Sequence, residues 1–292
     1  MIVFLNGQFV PEEQAVVSVL DRGFLYGDGL FETLLVRQGQ PFRWAQHLER
    51  LQRGAQLLRL QLPVSAPDLR RHADQLIRDN AMPDAVLRLT LSRGPGPRGY
   101  SIQQAGPPSL AMTLHPAPVF DPQAPPRWRL FTSTVRVPTR DPLAAIKSCN
   151  KLPQILARAE AEEHGADEAL LLNTDGNVAE AASANLFWIQ EGKVCSPPST
   201  EGALAGVTRA VTLELCATLG LSHRKKVLRP EALRRAEGIF LTLSTLGVVE
   251  AVSLDGEALP SAPLVETLRQ AFWRQVALET QRHPTESAPQ KS

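Results

Sequence analysis

The spacing of hydrophobic and polar residues in the first part of the chain predicts strands. "IVFLNGQFV" has two short apolar runs on either side of Asn6-Gly7, which is the pattern of a β-hairpin. "GLFETLLVRQGQPFRW" continues in a strand-like pattern with a turn at residues 38–40. "AVLRLTLSRG" alternates as a further strand, and "SLAMTLHPAP" follows it.

Two segments between these strands have the helical period instead. "AQHLERLQRGAQLLRL" places four apolar side chains on one stripe, namely Leu48, Leu51, Ala55 and Leu58. "SAPDLRRHADQLIRDN" is a second amphipathic helix, and Ser65 is placed to cap its first turn.

The pattern after residue 126 mixes hairpins and helices. "RWRLFTSTVRVP" predicts a strand, and "NKLPQILARAEAEEHG" predicts a helix that ends at Gly165. Two hairpins follow, "EALLLNTDGNVAEA" with its turn at residues 175–176 and "NLFWIQEGKVCSP" with its turn at residues 191–192. A helix from about Val207 to Leu219, the strand "EGIFLTLS" and a helix near 264–280 complete the prediction.

The stretch "HPAPVFDPQAPP", residues 115–126, has prolines and no periodicity, which is typical of a linker. It would separate an N-terminal domain, residues 1–114, from a C-terminal domain, residues 127–282. The tail, residues 283–292, is expected to be disordered. Hairpins and helices mix without a regular βαβ alternation and no internal repeat is visible, so we expect an α+β fold in two parts.

The composition argues against several classes of protein. The 292 residues are 43% hydrophobic and carry a formal net charge of +1, so a basic surplus for nucleic acid is lacking. Cys149, Cys195 and Cys216 have no CxxC spacing, so neither a disulfide framework nor a metal site is indicated. The N-terminus has no basic region before its apolar run, and no apolar run is long enough to span a membrane. A soluble cytoplasmic protein is expected.

Lys147 follows the apolar residues "LAAI" and precedes a predicted helix. A lysine at a buried edge has a lowered pKa, which a nucleophile that binds an aldehyde needs. A surface lysine is the simpler interpretation of this residue alone. Glu180, in "GNVAEAASANLFW", is a carboxylate among small residues that leave room beside it, although an exposed strand glutamate would have the same pattern.

Anion-binding residues occur in two other places. In "LAGVTRA", Gly206, Val207 and Thr208 begin a helix whose free N–H groups can bind an anion, and Arg50 could supply a charged partner. A small-residue helix start and a solvated helix face are the alternatives. In "SRGPGPRGYS", two arginines and a tyrosine suggest a mobile carboxylate clamp or, more simply, a long hairpin loop, and they are Arg93, Arg98 and Tyr100.

Together these residues match the needs of one cofactor. The amine would bind an aldehyde, the carboxylate would pair with a pyridine nitrogen, and the anion pocket would bind a phosphate. That cofactor is pyridoxal 5′-phosphate.

The series "LNGQFV", "DRGFLYGDGLFET", "HLERL", "IKSCNKL", "EAASANLFW" and "GVTR", in this order, resembles the class IV (fold-type IV) family of pyridoxal-phosphate enzymes. The resemblance covers nearly the whole chain. It implies a smaller N-terminal α/β sandwich domain and a larger C-terminal domain with a β-barrel-like core and helices. It also implies that the cofactor site opens at the interface of a homodimer.

The resemblance also implies a role for each motif residue. Lys147 would bind the cofactor covalently and act as the base, and Glu180 would pair with the pyridine nitrogen. The phosphate would be held by Arg50 and the backbone of Val207 and Thr208, and Gly206 and Ser244 would also bind the cofactor. The substrate, a small molecule with carboxylates, would contact Tyr26, Thr33, Arg93, Arg98 and Tyr100.

The family contains branched-chain and D-amino-acid aminotransferases and 4-amino-4-deoxychorismate lyase. Branched-chain enzymes carry a tyrosine after the asparagine that corresponds to Asn150, where this chain has Lys151. D-amino-acid enzymes carry an Arg-x-His pair where this chain has Arg98 and Tyr100. "RGPGPRGY", "NKL" and "ANLFW" look like the lyase, although "LTLSTLGVV" lacks the Asn-Ser/Ala-Leu of many lyases.

We therefore expect a lyase that eliminates pyruvate to give 4-aminobenzoate for folate synthesis. A class IV transaminase acting on D-amino acids, branched-chain amino acids or amines is the alternative. A non-catalytic binding protein on the same fold is a further alternative, and the presence of both Lys147 and Glu180 argues against it.

Overall fold

The structure is a computed structural model that describes residues 1–119 and 123–281. The tail predicted for residues 283–292 lies outside the described residues, as do residues 120–122 of the predicted linker. The described residues form two sheets, one from residues 2–116 and one from residues 127–258. The domain boundaries at 115–126 stay a prediction.

The first sheet has six antiparallel strands in the order β2-β1-β6-β5-β3-β4. They are β1 (Ile2–Leu5), β2 (Gln8–Pro11), β3 (Gly29–Arg37), β4 (Gln40–Pro41), β5 (Ala85–Ser92) and β6 (Ser109–Pro116). Asn6 and Gly7 both have positive φ, as a two-residue hairpin turn requires, so the predicted first hairpin is confirmed.

Two long helices cover this sheet and bury its core. They are α2 (Trp44–Leu57) and α3 (Ala66–Asp79), and the Asp68 N–H donates to Ser65 Oγ at 3.2 Å, which confirms the predicted cap. Their apolar faces pack on fully buried strand residues, among them Phe4, Leu34 and Leu87. A short helix, α1 (Arg22–Tyr26), was not predicted because five residues are too few to show a period.

The second sheet is mixed and curled. Its strands are β7 (Arg127–Val137), β8 (Glu168–Asn173), β9 (Val178–Ala181), β10 (Asn185–Gln190), β11 (Lys193–Ser196), β12 (His223–Lys225), β13 (Gly238–Leu243), β14 (Gly247–Leu254) and β15 (Glu257–Ala258). The order is β12-β11-β10-β13-β14-β7-β8-β9, and β15 pairs with β14. The edge strand β9 returns towards β10, because the Ala181 N–H donates to the Ala184 carbonyl at 2.8 Å.

Both predicted hairpins of this sheet are confirmed, as β8–β9 and β10–β11. β14 was not predicted, yet it pairs antiparallel with β13 and parallel with β7 at the centre of the sheet. Its sequence "GVVEAVSL" begins directly after the β13 turn and has no separate turn signal.

The helices of the second half are α4 (Leu152–Glu163), α5 (Val207–Thr218), α6 (Pro230–Leu233) and α7 (Pro263–Thr280). The predictions of α5 and α7 are confirmed. The predicted helix after Lys147 begins only at Leu152, and the apolar residues before the lysine form part of a short 3₁₀ turn, Pro142–Ala145. Within residues 1–119 and 123–281, no helix combines the length and the apolar surface that a bilayer span requires.

The two sheets share part of their core. Leu35 and Phe42 belong to the first half of the chain, but they pack against Phe272 of α7 and its neighbours. The rings of Phe42 and Phe272 meet edge to face with centroids 5.8 Å apart. This contact fixes one half of the molecule against the other, beside the cleft described below.

Phe42→Ala tests this junction. Phe42 is 5% exposed, and its truncation removes buried apolar area from both halves, so the free energy of unfolding should fall by about 3–5 kcal/mol. Urea denaturation followed by tryptophan fluorescence measures the loss. A loss below about 1 kcal/mol would contradict a packed junction.

Candidate active site

One cavity of about 840 Å³ opens where the two sheets meet. It is lined from the first half by β3 and α2 and from the second half by the segments around α4, β9, α5 and β13. Eight of the predicted site residues line it, namely Thr33, Arg50, Lys147, Glu180, Gly206, Val207, Thr208 and Ser244. They come from distant parts of the chain, so the fold and not the sequence order brings them together.

Lys147 is positioned by strand pairing across the two halves. The Phe31 N–H donates to the Lys147 carbonyl at 2.9 Å, and the Cys149 N–H donates to the Gly29 carbonyl at 2.9 Å. The backbone at 147–149 therefore extends along the end of β3. The Lys147 ammonium lies 4.6 Å from the centroid of the Phe31 ring, inside the cavity.

The surroundings of Lys147 favour the neutral amine. Burial is the main cause that lowers its pKa from 10.5 to about 8, and the positive charge of Arg50 acts in the same direction. Glu32 and Glu180 oppose this shift without cancelling it. With a pKa of about 8, a larger fraction of this amine is neutral near physiological pH than in an ordinary lysine, and the neutral form is the one that attacks an aldehyde.

Glu180 lies on β9 and has one oxygen engaged by the protein. The Leu204 N–H donates to its Oε2 at 2.9 Å, and Asn185 Nδ2 donates to the same oxygen at 3.3 Å. No described residue donates to Oε1. Burial raises the pKa of Glu180 to about 7, against the Leu204 hydrogen bond and the nearby ammonium groups. A basic nitrogen placed at Oε1 would supply the missing partner.

Arg50 belongs to a buried ion pair that the sequence analysis missed. Its Nε donates to Glu32 Oε1 at 2.8 Å and its Nη2 donates to Oε2 at 2.6 Å, while His47 Nδ1 lies 2.7 Å from Oε2. Burial alone would raise the pKa of Glu32, but the hydrogen bonds from Arg50 and His47 outweigh it and lower the pKa to about 2. The signal in the sequence is a carboxylate inside the apolar run of β3.

The start of α5 is the predicted anion site, and its first turn leaves backbone N–H groups without a side-chain cap. Gly206 is the N-cap of this helix. A Cβ at Gly206 would lie 1.9 Å from Asn185 Oδ1, so a side chain at this position has to displace the Asn185 amide. Arg50 Nη1 donates at 3.2 Å to the carbonyl of Ala205, directly before this turn. The buried Thr242 hydroxyl lines the same cavity without a partner among the described residues.

These groups fit pyridoxal phosphate. The cavity contains an amine with a lowered pKa and a carboxylate with one free oxygen. It also contains uncapped helix N–H groups beside an arginine, together with an unsatisfied hydroxyl. Each matches a different part of the cofactor, and each lies on the wall of one cavity.

Arg93 lies outside this cavity. Its Nε and Nη2 donate to the two oxygens of Asp28 at 2.7 and 2.9 Å. It also donates to the carbonyls of Leu58 and Arg59. In this chain the Arg93 guanidinium connects three backbone segments, and its predicted role in substrate binding stays a prediction.

The predicted substrate loop also lies away from the chain's own cavity. Arg98 and Tyr100 are exposed, and Tyr26 Oη accepts a hydrogen bond from the Gly99 N–H at 3.1 Å. The rings of Tyr26 and Tyr100 meet edge to face at 5.8 Å. The structure brings these residues together as a second group, attached to α1.

Two further cations near Lys147 were not predicted as site residues. The Arg88 guanidinium lies 4.0 Å from the centroid of the Phe31 ring, the same ring that Lys147 approaches. Lys151 lines the cavity itself. The strand register could have indicated Arg88, since it lies directly opposite Thr33 on β5.

The pKa of Lys147 has a measurable consequence for cofactor loading. The rate at which the cofactor-free protein reacts with pyridoxal phosphate should rise steeply with pH below about 8 and level off above it. Stopped-flow absorbance measures this rate, with Lys147→Ala as the control. A rate that keeps rising through pH 10 would show a lysine of ordinary pKa.

Gly206→Ala tests the anion site. The added carbon must displace Asn185, so pyridoxal phosphate should bind about tenfold more weakly or worse. Ala205→Ser, which adds an atom at the exposed neighbouring position, should bind the cofactor as the wild type does. Equilibrium dialysis measures both affinities. Equal affinity for Gly206→Ala and the wild type would exclude a tight cradle at this turn.

Several known proteins are similar to this chain over most of its length. A putative branched-chain-amino-acid aminotransferase of Methanocaldococcus jannaschii is 33% identical over 89% of this chain and 90% of its own length. Aminodeoxychorismate lyase of Bacillus subtilis is 29% identical over 87% of each chain. The crystal structure of 4-amino-4-deoxychorismate lyase from Pseudomonas aeruginosa superposes with a TM-score of 0.81 at 32% identity, covering 92% of this chain and 97% of that one.

The sequence profile of the amino-transferase class IV family matches residues 29–254, which span β3 through β14 and include the lysine, the carboxylate and the anion site. This family uses pyridoxal phosphate. The chain therefore belongs to the class IV aminotransferase family of pyridoxal-phosphate enzymes.

Proposed function

We propose that this protein is a 4-amino-4-deoxychorismate lyase, which converts its substrate to 4-aminobenzoate and pyruvate. The observation that carries the proposal is the position of Arg88. Its guanidinium lies over the same phenyl ring as the Lys147 amine and has no hydrogen-bond acceptor among the described residues. Arg88 does not itself line the cavity, so in this proposal a substrate whose amine reaches Lys147 extends a carboxylate past the Phe31 ring to Arg88.

The similarity to known proteins supports this substrate. The solved lyase from Pseudomonas aeruginosa is 32% identical, and the lyase relative from Bacillus subtilis covers most of the chain. The loop "RGPGPRGY" and Lys151 depart from the patterns of D-amino-acid and branched-chain aminotransferases. The cavity of about 840 Å³ is large enough for the cofactor together with a ring-sized substrate.

When bound, pyridoxal phosphate supplies an electron sink for the carbon that carries the substrate's amine. Lys147 then acts as the base: its neutral amine takes the proton from this ring carbon. The electron pair left behind expels the neighbouring enolpyruvyl oxygen, so the ring becomes aromatic. Lys147 can return its proton to the departing enolpyruvate, which becomes pyruvate. Proximity and a lowered pKa are what the lysine contributes.

Glu180 and the anion site hold the two ends of the cofactor in this proposal. Oε1 of Glu180 faces the cavity without a donor and would keep a proton on the pyridine nitrogen. The N–H groups of Val207 and Thr208, with Arg50 beside them, would hold the phosphate. Ser244 lines the same cavity and can add a hydroxyl donor.

We also propose that two copies of the chain form the active unit. Large apolar side chains are exposed on two neighbouring segments, namely Val16, Val17, Val19, Leu20 and Phe24 on one and Leu152, Ile155 and Leu156 on the other. Asn150 joins these segments by donating to the Gly27 carbonyl at 3.0 Å. Such a patch is typical of an interface.

The loop of Arg98 and Tyr100 stands next to this patch. Arg22 Nη1 donates to the Gly99 carbonyl at 2.8 Å, which attaches the loop to α1 and its exposed Phe24. Because the loop does not line its own chain's cavity, we propose that Arg98 and Tyr100 reach the cavity of the second copy.

Transamination is the second candidate. The relative from Methanocaldococcus jannaschii favours it, because at 33% identity it is called a branched-chain aminotransferase. The same lysine, carboxylate and anion site serve both reactions. They differ in where the proton on Lys147 goes, to the cofactor in transamination or to the leaving group in elimination.

The lyase proposal is tested without a keto acid. Purified holoenzyme is mixed with 4-amino-4-deoxychorismate, and 4-aminobenzoate is followed by fluorescence. We expect rapid product from the wild type and from Lys225→Met, a surface control, and none from Lys147→Ala. The cofactor content of each variant is measured by absorbance beforehand.

A holoenzyme that forms no 4-aminobenzoate, although borohydride fixes the cofactor to Lys147, would refute the lyase proposal. Product formation that depends on an added keto acid would assign transamination instead. A panel of D-amino acids, branched-chain amino acids and amines as donors would then identify the substrate.

A further inference from the structure

The backbone on either side of Lys151 is fixed, and this positions its side chain at the cavity. It is the N-cap residue of α4, four positions after Lys147, and its side chain lines the same cavity. The preceding residue, Asn150, is fixed to the first half of the molecule through its hydrogen bond to Gly27. The backbone that carries Lys151 is therefore attached on both sides, by α4 and by Asn150.

The Lys151 ammonium lacks the carboxylate partner that two other cations of the cavity have. Arg50 is paired with Glu32, and Arg158 is paired with Glu162. The Lys151 side chain makes no hydrogen bond or ion pair within residues 1–119 and 123–281, although it is partly buried, and its backbone carbonyl only accepts the Ile155 N–H of α4. Burial lowers its pKa, which shows that the surroundings supply less compensation than water would.

Glu180 is a candidate for a permanent partner, since it lines the same cavity and its charge opposes the lowering of the Lys151 pKa. Its Oε2 is already used by Leu204 and Asn185, however, and Oε1 is needed for the pyridine nitrogen in the proposed function. Once the cofactor is bound, the ammonium of Lys151 is left with no anion from the protein. The phosphate of the cofactor is assigned above to Arg50 and the N–H groups of α5, so a carboxylate of the substrate is a partner of matching charge that is not yet assigned.

We propose that Lys151 binds a carboxylate of the substrate and so selects dicarboxylates. This inference deepens the proposed function, because 4-amino-4-deoxychorismate carries two carboxylates and Arg88 can take only one of them. The two cations lie near Lys147 on different elements, β5 and the start of α4. They would hold a ring at two points, which fixes the orientation of the amine-bearing carbon towards Lys147.

The test uses a ligand that cannot react. Chorismate has both carboxylates but a hydroxyl in place of the amine, so it can bind without displacing Lys147 from the cofactor. Its affinity for the holoenzyme is measured by calorimetry for the wild type, Lys151→Met and Lys151→Arg. Lys225→Met, at an exposed position of β12, is the matched control.

Lys151→Met keeps the length of the side chain but removes its charge. We expect it to bind chorismate about tenfold to a hundredfold more weakly, the loss typical of a hydrogen bond to a charged group. Lys151→Arg should stay within about threefold of the wild type because it keeps a cationic donor. Lys225→Met should bind as the wild type does, and all variants should load the cofactor fully.

Unchanged chorismate affinity in Lys151→Met, or no binding by the wild type, would overturn the inference. Weaker cofactor binding by Lys151→Met with unchanged chorismate affinity would also overturn it and assign Lys151 to Glu180. Failure of the lyase proposal is a separate result. In that case 4-aminobenzoate is not formed, while the affinity for chorismate still depends on Lys151.

Discussion

The arrangement of this site depends on the short stretch of backbone pairing between residues 147–149 and β3. Two hydrogen bonds, from Phe31 to Lys147 and from Cys149 to Gly29, join the second half of the chain to the edge of the first sheet. They fix the base of a long flexible side chain while its amine stays free to move. The role that we propose for Lys147, which is to bind the cofactor and to carry a proton, needs a fixed backbone and a long side chain.

Residues 204–206, which we call the strap, connect the two ends of the cofactor site. The N–H of Leu204 donates to the Glu180 carboxylate, and the Leu204 carbonyl accepts a hydrogen bond from the Asn185 amide at 2.8 Å. The carbonyl of Ala205 accepts a hydrogen bond from the Arg50 guanidinium. The strap then leads directly into the uncapped turn of α5. The carboxylate end and the anion end of the site are therefore built on one continuous segment, and their separation is fixed by its length.

Much of this could be predicted from the sequence, for physical reasons. Lys147, Glu180 and Gly206 stand in short motifs whose chemistry is local, and the hairpins at Asn6-Gly7 and 175–176 have their turn residues. Arg88, Lys151 and Glu32 could not be predicted in the same way. Their importance arises from neighbours far away in the chain, such as the Phe31 ring over which Arg88 lies, and β14 lacked a turn signal of its own.

The contact between Gly206 and Asn185 restricts how this site can change during evolution. The amide of Asn185 fills the space that any side chain at position 206 would need. A larger residue at 206 has to displace this amide or requires a smaller residue at 185, and either change disturbs the hydrogen bonds of Asn185 to Glu180 and to the strap. A substitution at Gly206 would therefore also change the surroundings of Glu180. We expect the two positions to vary together or not at all, so new substrate preferences would arise at Arg88, Lys151 and the Arg98 loop.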